Sequence, residues 1–354
     1  MPVLVLLLAL VSAAQAAPAV STIPARPLIE RARDSQRLNF DLVFASNSDA
    51  AVRLDRLEVT LFDNGGGFVA QQRLDTNGDS TTMSIATVPN RVLPAHGRLV
   101  VFNPFWRFPP DLRLGRMRYV ATFDSGDTSA IEISPVPYEG KPMAFPLRGE
   151  VFVHDGHDLY GHHRRLDITG GMTTHFGIKE NFMRYAHDFV ITDRAGRMYK
   201  TDGASPGDWY GYGAQILAPA AGTVSEVRNH LADNVMGGPP PFREDALMSD
   251  LTLILGNYVV LAHEDGTYSV LAHMKQGSVR VKPGQRVREG EVIGGMGMSG
   301  DAFLVHLHYQ HQSGARFEDG LPAYFKKMRV RNGSGWSKPY DGPVDSGDVV
   351  EAIR

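Results

Sequence analysis

The sequence predicts a mostly β fold built from two β-rich domains. Short runs that alternate apolar and polar residues recur in the first half, as in residues 38–44 and 57–63, and such alternation is typical of half-buried strands. Glycine-rich turns such as residues 64–67 separate these runs, and no helical periodicity interrupts them. At 354 residues, the length favours two domains that each bury a core of ordinary size.

The first domain is predicted over residues 27–134 as an antiparallel β-sandwich. Its further strand-like segments are residues 68–70, 99–102 and 117–123. An immunoglobulin-like topology is one candidate for such a series of short strands. No cysteine pair supports that assignment, so the topology stays open. This region carries no catalytic constellation, and we interpret it as a packing or targeting module.

A proline-containing stretch, residues 135–146, is predicted to link this domain to a second one over residues 147–354. The second domain is strand-like again but contains two long insertions, residues 202–213 and 229–250. Long aromatic or glycine-rich loops over a β scaffold are where substrate grooves are commonly built. If the chain has an active site, we expect it here.

Residues 1–16 are predicted to be a signal peptide. An apolar run over residues 3–10 is followed by Ala14-Gln15-Ala16, which has the form of a cleavage site. The run is too short to span a bilayer, and no later stretch reaches transmembrane length. We therefore expect an exported protein, either periplasmic or extracellular.

Composition excludes several classes of function. The formal net charge is −3, and no basic stripe suggests a nucleic-acid partner. The chain has no cysteine, which excludes disulfides, thiolate nucleophiles and cysteine-ligated zinc. Nothing in the composition indicates the oligomeric state.

The histidines concentrate in the second half, since only His96 of the thirteen lies before residue 150. Two of them, His306 and His308, are separated by Leu307. Residues two apart on a strand project to the same face, so both imidazoles can point at one ion or one substrate. His273 lies upstream in a Leu-Ala-His-Met segment and is the third candidate.

Several segments, taken in order, resemble the M23 (LytM/lysostaphin-type) zinc metallopeptidases. The segments are residues 218–224, 256–266, 268–274, 283–300 and 306–308. The resemblance covers about residues 147–325 and leaves the N-terminal region out. It implies an antiparallel β-sheet peptidase domain with a narrow groove, one Zn²⁺ ion as cofactor, and peptides of peptidoglycan as substrate.

Carried onto this sequence, the resemblance implies that Asp188 and His308 are zinc ligands. His273 and His306 correspond to the family's two unligated catalytic histidines. In the family, the first ligand is a histidine four residues before the aspartate, but this chain has Arg184 there. The first ligand must therefore come from elsewhere.

Four histidines compete for the place of the first ligand. His187 is next to Asp188, so on a strand it points to the opposite face and is a poor ligand. His163 is preferred because related variants draw this ligand from the preceding loop, and His162 and His175 remain as alternatives. Two imidazoles and one carboxylate would leave a fourth coordination position open, as catalytic zinc sites do.

Two other functions are compatible with parts of the sequence. The glycine-punctuated ladder of residues 281–294 also resembles the hairpin of lipoyl and biotinyl carriers, but the chain lacks their Met-Lys tip. A catalytically silent M23-like module, which binds cell wall or activates an amidase, is the more serious alternative. Such modules lose their metal ligands, whereas Asp188, His273, His306 and His308 are all present, which favours catalysis.

Overall fold

The structure is a computed structural model that describes residues 17–63, 65–78, 80, 82–159, 161–239 and 241–353. The predicted signal peptide, residues 1–16, lies outside these residues. Antiparallel strands make up most of the regular structure, which confirms the mostly β fold class. The α-helices of the described residues are short: α1 (Gly171–His175) and α2 (Glu244–Ser249). Within the described residues, no helix is both long enough and apolar enough to cross a membrane.

The described residues of the N-terminal region form twelve strands in three sheets. They are β1 (Ala19–Ile23), β2 (Leu28–Arg31), β3 (Gln36–Leu38), β4 (Asp41–Ala45), β5 (Val52–Phe62), β6 (Phe68–Leu74), β7 (Val92–Leu93), β8 (Arg98–Phe102), β9 (Arg107–Phe108), β10 (Arg116–Phe123), β11 (Thr128–Ile133) and β12 (Val136–Pro137). The sheet orders are β1-β4-β8, β11-β10-β5-β6 with β7 on β5, and β12-β2-β3-β9. An immunoglobulin-like topology stays a prediction.

Alternation along β5 shows how the sequence builds this region. Leu57, Val59 and Leu61 are fully buried, while the residues between them are half-buried. The partner strand β10 places Tyr119 opposite Val59 and Met117 opposite Leu61. Cross-strand apolar pairs of this kind fix the register, because a shift by one residue would turn the apolar face outward.

The part of the C-terminal region that the structure describes contains fourteen strands. They are β13 (Val151–Asp155), β14 (His187–Ile191), β15 (Gln215–Leu217), β16 (Gly222–Arg228), β17 (Asn257–Ala262), β18 (Tyr268–Met274), β19 (Arg286–Val287), β20 (Val292–Gly295), β21 (Leu307–Gln312), β22 (Gly320–Leu321), β23 (Phe325–Asn332), β24 (Gly335–Trp336), β25 (Tyr340–Gly342) and β26 (Val349–Ala352). One large sheet has the order β19-β16-β17-β18-β21-β14-β13-β26-β23-β24, with β22 on β21 and β25 on β23. Strands β15 and β20 form a separate ribbon.

The middle of this sheet sorts its side chains by face. Phe189 of β14 and Tyr309 of β21 belong to the main hydrophobic core of the C-terminal region. The alternate residues, Asp188 and His308, lie directly opposite each other in the β14–β21 ladder. One face of these strands therefore packs the core, and the other carries polar side chains.

Two segments predicted to be irregular, residues 135–146 and 229–250, contain regular structure. Within residues 135–146, β12 pairs with β2, and Met143 and Phe145 are buried in the C-terminal core. The predicted loop of residues 229–250 contains α2 and runs into a 3-10 turn, Leu251–Leu255. The predicted domain boundaries at residues 134 and 147 stay predictions.

Candidate metal centre

Three neighbouring strands bring the candidate residues together around the carboxylate of Asp188. Asp188 lies on β14, His308 on β21, and His273 near the end of β18. Asp188 Oδ1 lies 3.2 Å from His308 Nδ1, 3.3 Å from His306 Nε2 and 3.7 Å from His163 Nε2. All five side chains named here are buried. The five residues singled out from the sequence thus surround one point.

His163 reaches this point from a loop rather than from a strand. It opens a 3-10 turn, His163–Arg165, after β13, and its ring centroid lies 4.7 Å from that of His308. Its Nδ1 lies 2.9 Å from the carboxylate of Asp155, while its Nε2 faces Asp188. A carboxylate that accepts from Nδ1–H fixes the tautomer and leaves Nε2 as a donor for a metal ion.

Asp155 was not identified from the sequence, although it closes β13 and pairs with Asp188 across the β13–β14 ladder. Burial would raise the pKa of this carboxyl, but its hydrogen bonds with His162 and His163 outweigh burial and lower the pKa. The carboxylate is therefore ionised and can hold an imidazole. The signal that could have revealed it is an acidic residue at the end of the strand just before the histidine-bearing loop.

His308 turns Nδ1 toward Asp188, whereas His163 turns Nε2 toward it. Its Nε2 lies 2.9 Å from Gln310 Oε1, so Nε2–H donates to the amide oxygen and Nδ1 faces Asp188. Gln310 Nε2 donates in turn to Gln312 Oε1 (2.5 Å), and Gln312 Nε2 donates to the Gly314 carbonyl (2.7 Å). The two glutamines were also missed, yet they follow His308 at the period of two that places residues on one strand face.

His273 and His306 form a second pair of rings, with centroids 4.6 Å apart. His273 Nδ1 donates to the Ser299 carbonyl (2.8 Å), and His306 Nδ1 donates to the Leu304 carbonyl (2.9 Å). Both rings are therefore held through Nδ1, and Nε2 of His306 lies 3.3 Å from Asp188 Oδ1. His273 has a φ of 57°, a left-handed conformation that non-glycine residues rarely adopt and that recurs at functional sites.

The electrostatics of the cluster keep the donors in the forms that bind metal. Burial would raise the pKa of Asp188, but the surrounding histidines, above all His163 and His306, hold that pKa well below its usual range. Burial lowers the pKa of His163 and lowers that of His273 further. For His306, burial acts downward but the Asp188 carboxylate outweighs it and raises the pKa. Asp188 is thus an anion, and His163 and His273 are neutral.

The other candidate histidines lie differently. His162 is exposed on the rim. Its Nδ1 lies 3.0 Å from the Asp155 carboxylate, and its ring centroid lies 3.8 Å from that of His163, with the two rings tilted. His175 engages the Met248 carbonyl through Nε2 (2.9 Å). His187 is buried on the opposite face of β14, where its Nε2 donates to the Val344 carbonyl at 3.3 Å. Burial lowers the pKa of His187 to about 4.

Arg184, at the position where the resemblance expected the first ligand, points away from the cluster. Its guanidinium is fully buried and donates to Asp41 of the N-terminal region at 2.8 Å and to Asp319 at 3.2 Å. The metal centre therefore has no ligand from this position, which agrees with a donor supplied by the preceding loop.

The donor set fits zinc. Asp155, His162, His163 and Asp188 each offer one ligand atom, and these atoms lie within 4.8 Å of one another. With His308 Nδ1 beside them, two or three imidazole nitrogens and a carboxylate converge. Nitrogen and oxygen donors of this kind suit Zn²⁺, and three protein ligands leave a position for water or substrate.

Comparison with solved structures returns M23 peptidases at low sequence identity. An M23 peptidase from Pseudomonas aeruginosa is 15% identical with a TM-score of 0.26, covering 72% of this chain and 82% of its own. The catalytic domain of the prophage-encoded M23 protein EnpA from Enterococcus faecalis is 18% identical with a TM-score of 0.25, covering 38% of this chain and 72% of its own. The catalytic domain of lysostaphin from Staphylococcus simulans is 23% identical with a TM-score of 0.20, covering 32% and 80%. No curated protein matches the chain.

A sequence-family comparison bears on the site directly. Residues 209–319 match peptidase family M23, and the matched segment contains His273, His306 and His308. The metallopeptidases of this family use zinc, in agreement with the donor set above. Residues 209–319 of this chain therefore match the same peptidase family, M23, that the sequence motifs resemble.

Proposed function

We propose that this protein is a zinc-dependent endopeptidase that hydrolyses peptide bonds in the stem peptides or cross-links of peptidoglycan. The observation that carries the proposal is the ring of four buried imidazoles around Asp188. One nitrogen of each ring is engaged by a neighbouring group: the Asp155 carboxylate lies 2.9 Å from His163 Nδ1, and the other three rings each donate a hydrogen bond. Three buried imidazole nitrogens face one carboxylate, and the His273 ring packs against two of these imidazoles, which is an arrangement suited to holding a metal ion.

In this proposal, His163 Nε2, Asp188 and His308 Nδ1 are the three zinc ligands. Asp155 and Gln310 hold the two imidazoles from behind, as carboxylates and amides do in many metal sites. His162 is the alternative first ligand, because it lies against the same Asp155 carboxylate. His175 is disfavoured by its engagement with the Met248 carbonyl.

His273 and His306 are the proposed catalytic residues. Bound zinc would supply a Lewis acid that polarises a peptide carbonyl and acidifies water. The Nε2 of one histidine can take the proton of the attacking water, and that of the other can stabilise the oxyanion or protonate the leaving amine. General acid–base assistance of this type contributes about 10²–10⁴-fold to the rate.

The substrate class rests on the family and on the predicted export. An exported M23 peptidase meets peptidoglycan in the periplasm or outside the cell, and that polymer carries short peptides. The insertions of residues 202–213 and 229–250 are candidates for groove walls, since loops on a rigid sheet commonly bind substrate. We propose no nucleic-acid partner, because the net charge of −3 offers no electrostatic attraction.

A catalytically silent M23 module that binds cell wall or activates an amidase is the second candidate. The two functions differ in metal content and in hydrolysis. The convergence of Asp188, His163 and His308 favours the enzyme, because a silent module needs none of these donors.

The proposal is tested by replacing the ligands singly. Asp188→Ala and His308→Ala are expected to abolish both bound zinc, measured by elemental analysis, and the release of peptides from purified peptidoglycan. Asp265→Ala is the matched control, since this carboxylate lies in the β17–β18 turn and accepts hydrogen bonds from Thr267. Stoichiometric zinc and full activity in Asp188→Ala would contradict the proposed ligand set.

A further inference from the structure

A buried charge cluster joins the N-terminal region to the peptidase region beside the metal centre. Asp41, at the start of β4, is fully buried. One of its carboxylate oxygens accepts from Arg164 Nη1 at 2.6 Å and the other from Arg184 Nη1 at 2.8 Å. Both guanidinium groups are also fully buried. Buried charges are tolerated only where the geometry satisfies them, so Asp41 fixes the position of both arginines.

Three consecutive residues of the N-terminal region hold Arg164. Besides its bond to Asp41, the guanidinium donates to the Phe40 carbonyl at 2.6 Å and to Asn39 Oδ1 at 3.3 Å. The Asn39 amide donates to the His157 carbonyl at 2.8 Å. Residues 39–41 therefore hold both His157 and Arg164 in the loop between β13 and α1.

That loop carries His163. Arg164 is the next residue in the same 3-10 turn, so the position of its backbone determines where the His163 imidazole enters the cluster. The Asn181 amide also holds the turn, since it donates to the carbonyls of His163 and Arg164 at 3.2 Å each, and Asp155 lies against the His163 ring. His163, unlike Asp188 and His308, is not part of a strand.

Arg184 completes the cluster at the position four residues before Asp188. Its Nε donates to Asp319 at 3.2 Å, so two carboxylates balance the two guanidinium groups. A residue at the sequence position where the family has a ligand thus serves here to bind the N-terminal region.

We propose that Asp41 is a positioning residue of the metal centre, through which the N-terminal region completes the peptidase site within the same chain. The carboxylate holds Arg164, and Arg164 seats the turn that presents His163 to the metal. This inference rests on the proposed function in one respect, that His163 is a zinc ligand.

The competing explanation is that the cluster only holds the two regions together. A second, partly buried contact between the two regions distinguishes the two explanations. Arg37 of β3 forms a bidentate ion pair with Asp345 of the peptidase region, in which Nη2 lies 2.7 Å from Oδ2. This pair joins the same two regions, and its two hydrogen bonds run between Arg37 and Asp345 rather than to His157, His163 or Arg164. Arg37→Met is therefore a matched control for loss of an interregion ion pair.

The test measures the zinc dissociation constant of the full-length chain by competition with a chromophoric chelator. Asp41→Asn is expected to weaken zinc binding by about 10–100-fold, the usual effect of losing a group that orients a ligand. Arg37→Met is expected to bind zinc as the unaltered protein does. The visible absorption of the cobalt-loaded protein should change in Asp41→Asn and stay the same in Arg37→Met, because it reports the ligand geometry.

Folding is checked by circular dichroism of each variant without metal. If Asp41→Asn does not fold, Arg164→Lys takes its place, since it keeps the buried charge but loses the planar fork that Asp41 and Phe40 hold. The same loss of zinc affinity is expected. Unchanged zinc affinity in the folded variant, or an equal loss in Arg37→Met, would overturn the inference.

His163→Ala separates this inference from the proposed function. If His163→Ala loses zinc while Asp41→Asn does not, His163 is a ligand and Asp41 does not position it. If His163→Ala keeps its zinc, the proposed ligand set is wrong and the inference falls with it, whatever Asp41→Asn does.

Discussion

At the scale of single residues, the centre depends on which nitrogen each imidazole turns toward Asp188. His163 presents Nε2 because Asp155 engages its Nδ1, and His308 presents Nδ1 because Gln310 engages its Nε2. His273 and His306 are both held through Nδ1 by backbone carbonyls. The groups that hold the rings therefore differ. A carboxylate or side-chain amide that holds one ring nitrogen is typical of a metal-ligating histidine, whereas His273 and His306, held by backbone carbonyls, keep Nε2 for proton transfer.

Replacing His273 or His306, the proposed catalytic residues, should greatly slow hydrolysis without removing the metal. His273→Ala and His306→Ala are expected to retain zinc and to lose at least about 10²-fold in kcat, because general acid–base assistance is worth that much or more. Zinc content by elemental analysis and peptide release from peptidoglycan are the two measurements. Loss of zinc in His306→Ala would mean that His306 and His308 have exchanged roles.

Asp155 should contribute to zinc affinity without touching the ion. Asp155→Ala removes the acceptor for His163 Nδ1–H and is expected to weaken zinc binding by about 10–100-fold. Asp155→Asn keeps an acceptor oxygen and should weaken it less. Competition with a chelator measures both constants, and an equal effect of the two substitutions would contradict a role in orienting His163.

At the scale of elements, the alternation of side chains on two strands separates ligand from core. On β14, Asp188 faces the cluster while His187 and Phe189 stack on the other face, with ring centroids 5.2 Å apart. On β21, His308 and Gln310 share the face of Asp188, and Tyr309 packs the core. His187 and Asp188 are adjacent and both buried, but they face opposite sides of β14 because successive side chains of a strand alternate.

This alternation predicts opposite results for two histidines. His163→Ala should lower zinc affinity sharply, whereas His187→Ala should leave it near that of the unaltered protein and instead lower stability. His187 is fully buried among aromatic rings, and truncating a buried ring leaves a cavity. Chelator competition and thermal unfolding check the two effects. Loss of zinc only in His187→Ala would show that β14 does not present Asp188 alone.

The sequence was informative where function is encoded at short range. Asp188, His273, His306 and His308 lie in local motifs, and His306, immediately before β21, and His308, on β21, both face Asp188 although the strand itself begins at Leu307. Asp155 and Gln310 were missed, because their function appears only once a loop folds back or a rotamer is chosen. Asp41 was out of reach, since its contact with Arg164 joins residues 123 positions apart.

At the scale of the whole molecule, polar contacts connect the main hydrophobic core of the N-terminal region to that of the C-terminal region. One core draws on residues 29–133 and the other on residues 143–350. Between them lie the Asp41 cluster, the Arg37–Asp345 pair and Glu30, whose carboxylate oxygen is 3.2 Å from His157 Nδ1. Buried polar contacts add little net stability, but breaking one of a pair is costly.

Glu30 should make stability depend on pH. Complete burial raises the pKa of its carboxyl from 4.5 to about 8, against the opposing effect of Arg37. The unfolded chain therefore loses this proton at lower pH than the folded chain, and stability falls as pH rises from the unfolded value toward 8. Each pKa unit corresponds to about 1.4 kcal/mol, so the loss is on the order of a few kcal/mol.

Glu30→Gln isolates this effect, because glutamine has the same shape and does not ionise. Urea unfolding at pH 5 and pH 8 should show the unaltered protein losing stability relative to Glu30→Gln between the two values. A difference between the two proteins that is the same at both pH values would show that Glu30 is not held neutral at the interface.

The most direct test of a zinc-dependent peptidoglycan endopeptidase is mass spectrometry of peptides released from purified peptidoglycan. The full-length protein would be assayed as purified, after removal of zinc by a chelator, and after reloading with one equivalent of zinc, with His273→Ala as the inactive control. We expect release by the purified and reloaded protein and none by the chelated protein or His273→Ala. A folded protein that holds one zinc ion and releases no peptide, or release that survives chelation, would contradict the proposed function.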